Sequence, residues 1–343
     1  MDQAAIDRDA LLYDLETKGY SVVPGVVSAE DCDNYTRQYK NWVAKFEDDP
    51  PFSWDSVMHF YRVSHFDATW RVRLQTKPVF ASMWNTEKLL CSMDGIAIGI
   101  PPEFGRGKFR DDGTNWLHLD HGRTRRSLHV YQAAVYLEET TEEDHCLRVI
   151  EKSHLYHDRL LEAFPDATGS NNEEHEVEFF PFKPEWIAWY KEQGCTERII
   201  AVPKGGMVIW DSRTVHDTVL PKRGRMHSYR WRFVVFVCMA PAIWATDEDY
   251  EAKKFAYDNF RGTAHWPAQK NTVFSSTTES PFTKDRWHIY AVETMPDIAK
   301  TSEAKLLVGL ERYDFNDGSP NDPGWSPTWD KSSVFYHRYS NRT

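Results

Sequence analysis

Residues 229–239 read YRWRFVVFVCM, a succession of β-branched and aromatic side chains closed by Ala240-Pro241. Such a run is a strand. Upstream, GGMVIW (205–210), CLRVI (146–150), SLHVYQAAVYL (127–137) and LLCSMDGIAIGI (89–100) have the same character and are separated by Gly, Pro or acidic loops. Several short strands with few helices between them favour a sandwich or barrel over a parallel α/β sheet. The expected class is mainly β with α additions, organised as one domain: a β core over 89–241, N-terminal helices and strands over 1–88, and a C-terminal extension over 242–343.

Outside the core the signals are more local. Leu11, Leu12 and Leu15 mark one face of a short helix, stopped by Gly19, with Tyr20–Val23 as the following strand. Ser28 followed by Asp31 resembles a capping box. Behind it, Tyr35, Tyr39, Trp42, Val43 and Phe46 fall at helical spacing, which makes them a core stripe. The aromatic-rich stretch from Trp54 to Trp70 (with Met58, His59, Phe60, Tyr61 and Phe66) reads as core with a share in a substrate pocket. Glu138 to Asp144 reads as a solvated acidic loop. The extension holds five of the 14 Trp, at 244, 266, 287, 325 and 329. It is expected to wrap the barrel, cover its mouth or form a homodimer contact, and its tail, 314–330, to be irregular surface.

Composition narrows the function. With 41% hydrophobic and 14% aromatic residues, the chain has ample material for a packed core and an aromatic-lined cavity. Fifty-two acidic against 41 basic side chains give a formal charge of -11, which repels phosphate backbones, so nucleic acid is not the expected partner. No stretch approaches the roughly 20 apolar residues that span a bilayer. The N-terminus carries acidic residues where a secretion signal needs a basic start, and the five cysteines are odd in number without a CxxC. A cytoplasmic protein with reduced thiols is expected.

The chemistry centres on HLDHG (118–122). His118 and Asp120 are two apart, so in a strand both side chains face the same way. A third donor is available 98 residues after His118, at His216 in VIWDSRTVHDT. Two imidazoles and one carboxylate suit Fe(II) and leave coordination positions open. Arg230 and Arg232 share a face of the 229–239 run. A guanidinium facing a barrel interior needs a carboxylate, and a dicarboxylate co-substrate supplies one. Gln132, on the same face as the small Ala134, could donate to a carboxylate ligand. His121, at odd spacing from Asp120, and His154 are not assigned to the metal. Arg123, Arg125 and Arg126 form a local basic cluster, read as a solvated loop or an attractor for an anionic substrate.

These blocks, in order, resemble the phytanoyl-CoA dioxygenase family of Fe(II)/2-oxoglutarate oxygenases: GYSVVPGVVSAEDCD (19–33), HLDHG, CLRVIEKSH (146–154), KGGMVIWDSRTVHDT (204–218) and RWRFVVFVCMAP (230–241). The resemblance implies a double-stranded β-helix, or jelly roll, of cupin-like type. It implies iron on His118, Asp120 and His216, with 2-oxoglutarate and O2 as co-substrates. It also implies an Arg of the last core strand on the far carboxylate of 2-oxoglutarate. Counting back from Ala240-Pro241 gives Arg232, and counting forward from His216 gives Arg230. Thr218 matches a small hydroxyl residue of the family near the co-substrate. Departures are Cys146 where the family has Gly, and Glu151-Lys152-Ser153-His154 where it has a Pro-Gly-Ser-His turn.

The activity implied is oxidation of a small organic metabolite, by default hydroxylation, with desaturation or cyclisation open, and with release of succinate and CO2. Related halogenases lack the carboxylate ligand, so Asp120 argues against halogenation. The competing reading is a non-catalytic jelly-roll protein that binds a metal or ligand; Arg230 and Arg232 oppose it, because such a protein needs no carboxylate clamp.

Overall fold

The computed structural model describes residues 6–46, 56–104, 116–167, 178–274 and 287–331. Trp54 lies outside them. In the N-terminal part, helix α1 (Arg8–Thr17), strand β1 (Tyr20–Val23), helix α2 (Ala29–Val43), strand β2 (Val57–Met58) and helix α3 (Asp67–Trp84) precede the core. The core strands are β3 (Leu89–Cys91), β4 (Ile96–Gly99), β5 (His118–Leu119), β6 (Arg125–Arg126), β7 (Tyr131–Tyr136) and β8 (Cys146–Glu151). After α4 (His157–Ala163) come β9 (Phe180–Pro181), α5 (Pro184–Glu192), β10 (Thr196–Ile199), β11 (Met207–Asp211), β12 (His216–Val219) and β13 (Arg232–Pro241). The extension contributes α6 (Asp247–Asp258) and a short strand, β14 (Thr328–Trp329).

Every pairing between these strands is antiparallel. One sheet runs β1-β11-β7-β13-β4-β2 with β3 also on β13, and the other runs β10-β8-β12-β5-β9. Side-chain alternation decides what each face meets. On β13 the odd residues Phe233, Val235 and Val237 pack with Leu15, Tyr39, Trp42, Phe80 and Trp84 of α1–α3. The even residues Val234 and Phe236 join Ala134, Tyr136, Val208 and Trp210 in a second cluster with Leu147 and Val149 of the other sheet. That second sheet turns its other face, through Leu119 and Ile150, to Leu160 of α4 and Trp186 and Tyr190 of α5. The result is two sheets face to face between helical layers, the jelly roll anticipated from the sequence, and the residues at even positions on β7, β11, β12 and β13 look into the space between them.

Local signals explain the borders. Gly19 follows α1 at φ +89, where a Cβ would stand 2.5 Å from His154 Nδ1 and 2.7 Å from Thr214 Oγ1, so both conformation and space require glycine. Ser28 caps α2 by accepting from Asp31 N–H at 3.0 Å. The reciprocal half of the expected capping box is not made; the Asp31 carboxylate accepts from Gln75 Nε2 instead. Helix α3 is buried on nearly every side, including the cation Arg73, which donates to the carbonyls of Ser64 and Asp94 at 2.6 and 2.8 Å. A helix buried all round has no polar stripe to announce it.

Three expectations are corrected. The acidic loop is not merely solvated, because Asp144 is buried and accepts from Arg225 and Arg230. The Arg123–Arg126 cluster is not a solvated loop. Arg125 is 1% exposed, pairs with Glu178 at 2.5 Å, and lies over the rings of Trp266 and Trp329 at 3.5 and 4.6 Å. Its neighbour Arg126 pairs with Asp330 at 2.7 Å. The end of the tail is also ordered: β14 adds to β6, with Trp329 opposite Arg125. The extension therefore returns to the cavity between the sheets. Among the described residues no helix is long and apolar enough to cross a membrane, and the five cysteines are free and buried.

Candidate metal centre

His118 on β5 and His216 on β12 are direct cross-strand partners. Their ring centroids lie 4.4 Å apart, and both rings look inward between the sheets. Asp120 follows β5, and its Oδ2 is 3.7 Å from His118 Nε2 and 3.5 Å from His216 Nε2. One donor atom from each of the three lies within 4.8 Å of the others, so a single ion can reach all three. Both imidazoles are held from behind. His118 Nδ1 meets the Trp116 carbonyl at 3.1 Å and His216 Nδ1 the Thr214 carbonyl at 2.9 Å. A carbonyl only accepts, so the proton sits on Nδ1 and the Nε2 lone pair is left facing the centre, as metal ligation requires.

The electrostatics point the same way. Burial opposes charge on His118, yet the Asp120 carboxylate raises its pKa. Burial likewise opposes ionisation of Asp120, yet His118 and His216 hold its carboxyl well below the usual carboxylate range. A buried trio that draws positive charge to its middle fits a cation. Gln132 completes the support. Indole Nε1 of Trp210 only donates and bonds Gln132 Oε1 at 3.1 Å, which leaves the amide NH2 to donate to Asp120 Oδ2 at 2.9 Å. Gln132 was expected to face the co-substrate; its partner is the Asp120 carboxylate.

The trio borders a cavity of about 750 Å³. Trp116, Phe179, Trp210 and Phe236 supply apolar wall, and the extension adds His265, Trp266, Phe274 and Trp329. Arg232 also lines it from the inner face of β13. The residue is 4% exposed; its guanidinium bonds Ser56 Oγ through Nη1, also meets the Tyr136 hydroxyl, and has no carboxylate partner among the described residues, and its Nε is buried without a hydrogen bond. Thr218 lines the cavity too, its hydroxyl 3.4 Å from His145 Nε2.

Arg230 has a different fate from that expected. It precedes β13, so the shared-face argument does not reach it, and it is bonded to Glu139 and to Asp144, the latter at 3.3 Å. It does not line this cavity. His121 is fully buried, 2.9 Å from Ser212 Oγ, with burial holding its pKa well below the usual imidazole range. His154 bonds the Glu16 carbonyl at 3.0 Å. Two cavity residues were missed in the sequence. Asp94 had a signal, an acid inside the apolar run 89–100. His265, whose pKa burial lowers to about 4, stands in a segment without periodicity.

The family model for phytanoyl-CoA dioxygenase matches residues 15–219, more than half of the chain. A relative from Aspergillus versicolor, "Ava biosynthesis cluster protein O", is 25% identical over 268 residues, covering 73% of this chain and 83% of the relative. Among solved structures, GlcNAc Inducible Gene 2 of Candida albicans covers 90% of this chain and 78% of its own at 13% identity, with a TM-score of 0.58. HygX of Streptomyces hygroscopicus, solved with nickel, 2-oxoglutarate and hygromycin B, covers 70% and 89% at 15% identity, with a TM-score of 0.45. This chain belongs to the phytanoyl-CoA dioxygenase family and is an enzyme of the 2-oxoglutarate-dependent oxygenase type, with iron and 2-oxoglutarate as its cofactor and co-substrate.

Proposed function

We propose that the enzyme oxidises a C–H bond of a small organic metabolite, by default to an alcohol, with desaturation and cyclisation as the related outcomes. The observation that carries this reading is the pairing of the His118–Asp120–His216 trio with an uncompensated guanidinium, Arg232, in one cavity. When bound, iron with 2-oxoglutarate and dioxygen supplies the oxidising power, and 2-oxoglutarate leaves as succinate and CO2.

The chain's own residues do the rest. His118, Asp120 and His216 would hold the ion and leave coordination positions for small ligands. Gln132 fixes the Asp120 carboxylate, and the carbonyls of Trp116 and Thr214 fix the imidazole tautomers. Arg232 takes the far carboxylate of 2-oxoglutarate, and the Thr218 hydroxyl adds a hydrogen bond to it. Arg230, already paired with acids, is not the clamp. Phe179, Trp210 and Phe236 exclude water and hold the apolar part of the substrate. The name of the Aspergillus versicolor relative, a biosynthesis cluster protein, supports an organic metabolite as substrate. A binding protein without catalysis has no use for an unpaired cation beside the metal ligands.

The test is succinate release from 2-oxoglutarate in air with Fe(II). Wild type is expected to form succinate slowly even without its substrate, and Asp120→Ala to lose about a hundredfold of that rate or more. Equal rates in the two proteins would exclude the assigned site.

A further inference from the structure

The wall of the cavity opposite the sheet of ligands contains a carboxylate that the reaction above does not use. Strand β3 pairs with β13 at Met239–Pro241 and β4 pairs with it at Arg232–Val235. Between them residues 92–95 make a detour, tied by Ser92 N–H to the Cys238 carbonyl at 2.9 Å and by Phe236 N–H to the Gly95 carbonyl at 3.3 Å. The detour brings Asp94 to the cavity wall. Arg73 does not neutralise the side chain directly, since its Nη2 donates to the Asp94 backbone carbonyl. Asp94 Oδ1 accepts from Gly95 N–H at 2.6 Å, and His59 Nδ1 stays 3.9 Å away, beyond hydrogen-bond reach. Among the described residues Asp94 Oδ2 has no hydrogen-bond donor. The side chain is 12% exposed, and that exposure opens to the cavity. Burial, assisted by the nearby Asp120 carboxylate, pushes Asp94 up to about 7.

A buried carboxylate without a donor on one oxygen is costly. Around it the wall is aromatic: Phe274 lies edge-on to His59 at 4.8 Å, and Phe236 sits beside Gly95. We propose that Asp94 anchors the substrate, its free oxygen accepting a hydrogen bond from a hydroxyl or ammonium group on a largely apolar, ring-bearing molecule. This rests on the oxygenase reading of the cavity and adds the substrate's chemistry to it: at least one hydrogen-bond donor, set on an apolar frame.

Matched probes test it without knowledge of the natural substrate. Equilibrium dialysis at pH 8.5, where Asp94 is ionised, of the anaerobic protein loaded with Fe(II) and 2-oxoglutarate compares 2-(1-naphthyl)ethanol, 2-(1-naphthyl)ethylamine and 1-ethylnaphthalene. Wild type is expected to bind the alcohol or the amine about tenfold tighter or more than ethylnaphthalene, and the tighter of the two identifies the group preferred. Asp94→Ala levels the three affinities. Asp94→Asn, which keeps the shape, reduces the preference to a few-fold because a neutral carbonyl replaces a charged acceptor. Equal affinities in wild type, no binding of any probe, or an undiminished preference in either folded variant would overturn the proposal. The visible band of the Fe(II)–2-oxoglutarate complex, recorded on the same samples, separates the two readings. Its absence from wild type speaks against the metal site, whereas an intact band without donor preference speaks against Asp94 alone.

Discussion

Arg232 and Arg230 are two residues apart and chemically identical, and their surroundings give them different work. Arg232, on the inner face of β13, brings a buried guanidinium to the cavity, where the hydroxyls of Ser56 and Tyr136 meet it and no acid does among the described residues. Arg230 is committed to Glu139 and Asp144. Arg232→Ala is therefore expected to raise the 2-oxoglutarate concentration for half-maximal succinate formation by about tenfold to a hundredfold, the range for losing a charge-assisted pair. Arg230→Ala is expected to leave it within about twofold. The opposite pattern in a titration with 2-oxoglutarate would move the clamp. At this scale the sequence was legible for the cluster of His118, Asp120 and His216, because two candidate donors stand two residues apart and the third follows a second β run. It was ambiguous for the arginines, because Arg230 is distinguished by its pairing with Glu139 and Asp144, and Asp144 reads as a solvated loop acid until the fold buries it.

Elements show the same division between local and distant causes. Gly19 and Ser28 announce the end of α1 and the start of α2 through backbone chemistry contained in a few residues. Gly19→Ala places a methyl against His154 and Thr214 in a left-handed conformation, so it is expected to cost about 1–3 kcal/mol or more. Urea unfolding followed by circular dichroism measures it; an unchanged midpoint would show that the close approach relaxes freely. Runs of β-branched and aromatic residues such as β7 and β13 were readable as strands, and so was the sheet-rich class. Helix α3 was not, since burial on nearly every side removes the polar stripe that marks a surface helix. Nor was β14, a two-residue strand that pairs with β6 beside Arg125, whose guanidinium lies over Trp266 and Trp329 across 141 and 204 positions of chain.

At the scale of the whole molecule, the cavity joins two parts of the chain. The candidate ligands His118, Asp120 and His216 lie within the family match over 15–219, whereas Arg232 and the walls from His265 to Trp329 lie beyond it. Buried imidazoles help seal that junction: His65 bonds the Arg261 carbonyl at 3.0 Å and His129 the Thr328 carbonyl at 2.6 Å. Burial lowers both pKa values to about 3, below the 6.5 of an unfolded chain. The unfolded state then binds more protons below pH 6.5, so stability falls as pH drops, by about 2 kcal/mol per imidazole at pH 5. Asp94, raised to about 7, acts with the opposite sign over this range. The comparison that isolates an imidazole is therefore wild type against His65→Gln. The variant is expected to lose less stability between pH 7.5 and 5.0 in urea melts, and an equal loss would refute the sign. The metal centre itself is tested most directly by anaerobic addition of Fe(II) and 2-oxoglutarate, followed by visible absorption. Wild type is expected to develop the weak charge-transfer band of an iron–2-oxoglutarate chelate and His216→Ala to lose it; a wild type without the band, or a variant with a band of equal strength, would contradict the His118–Asp120–His216 site.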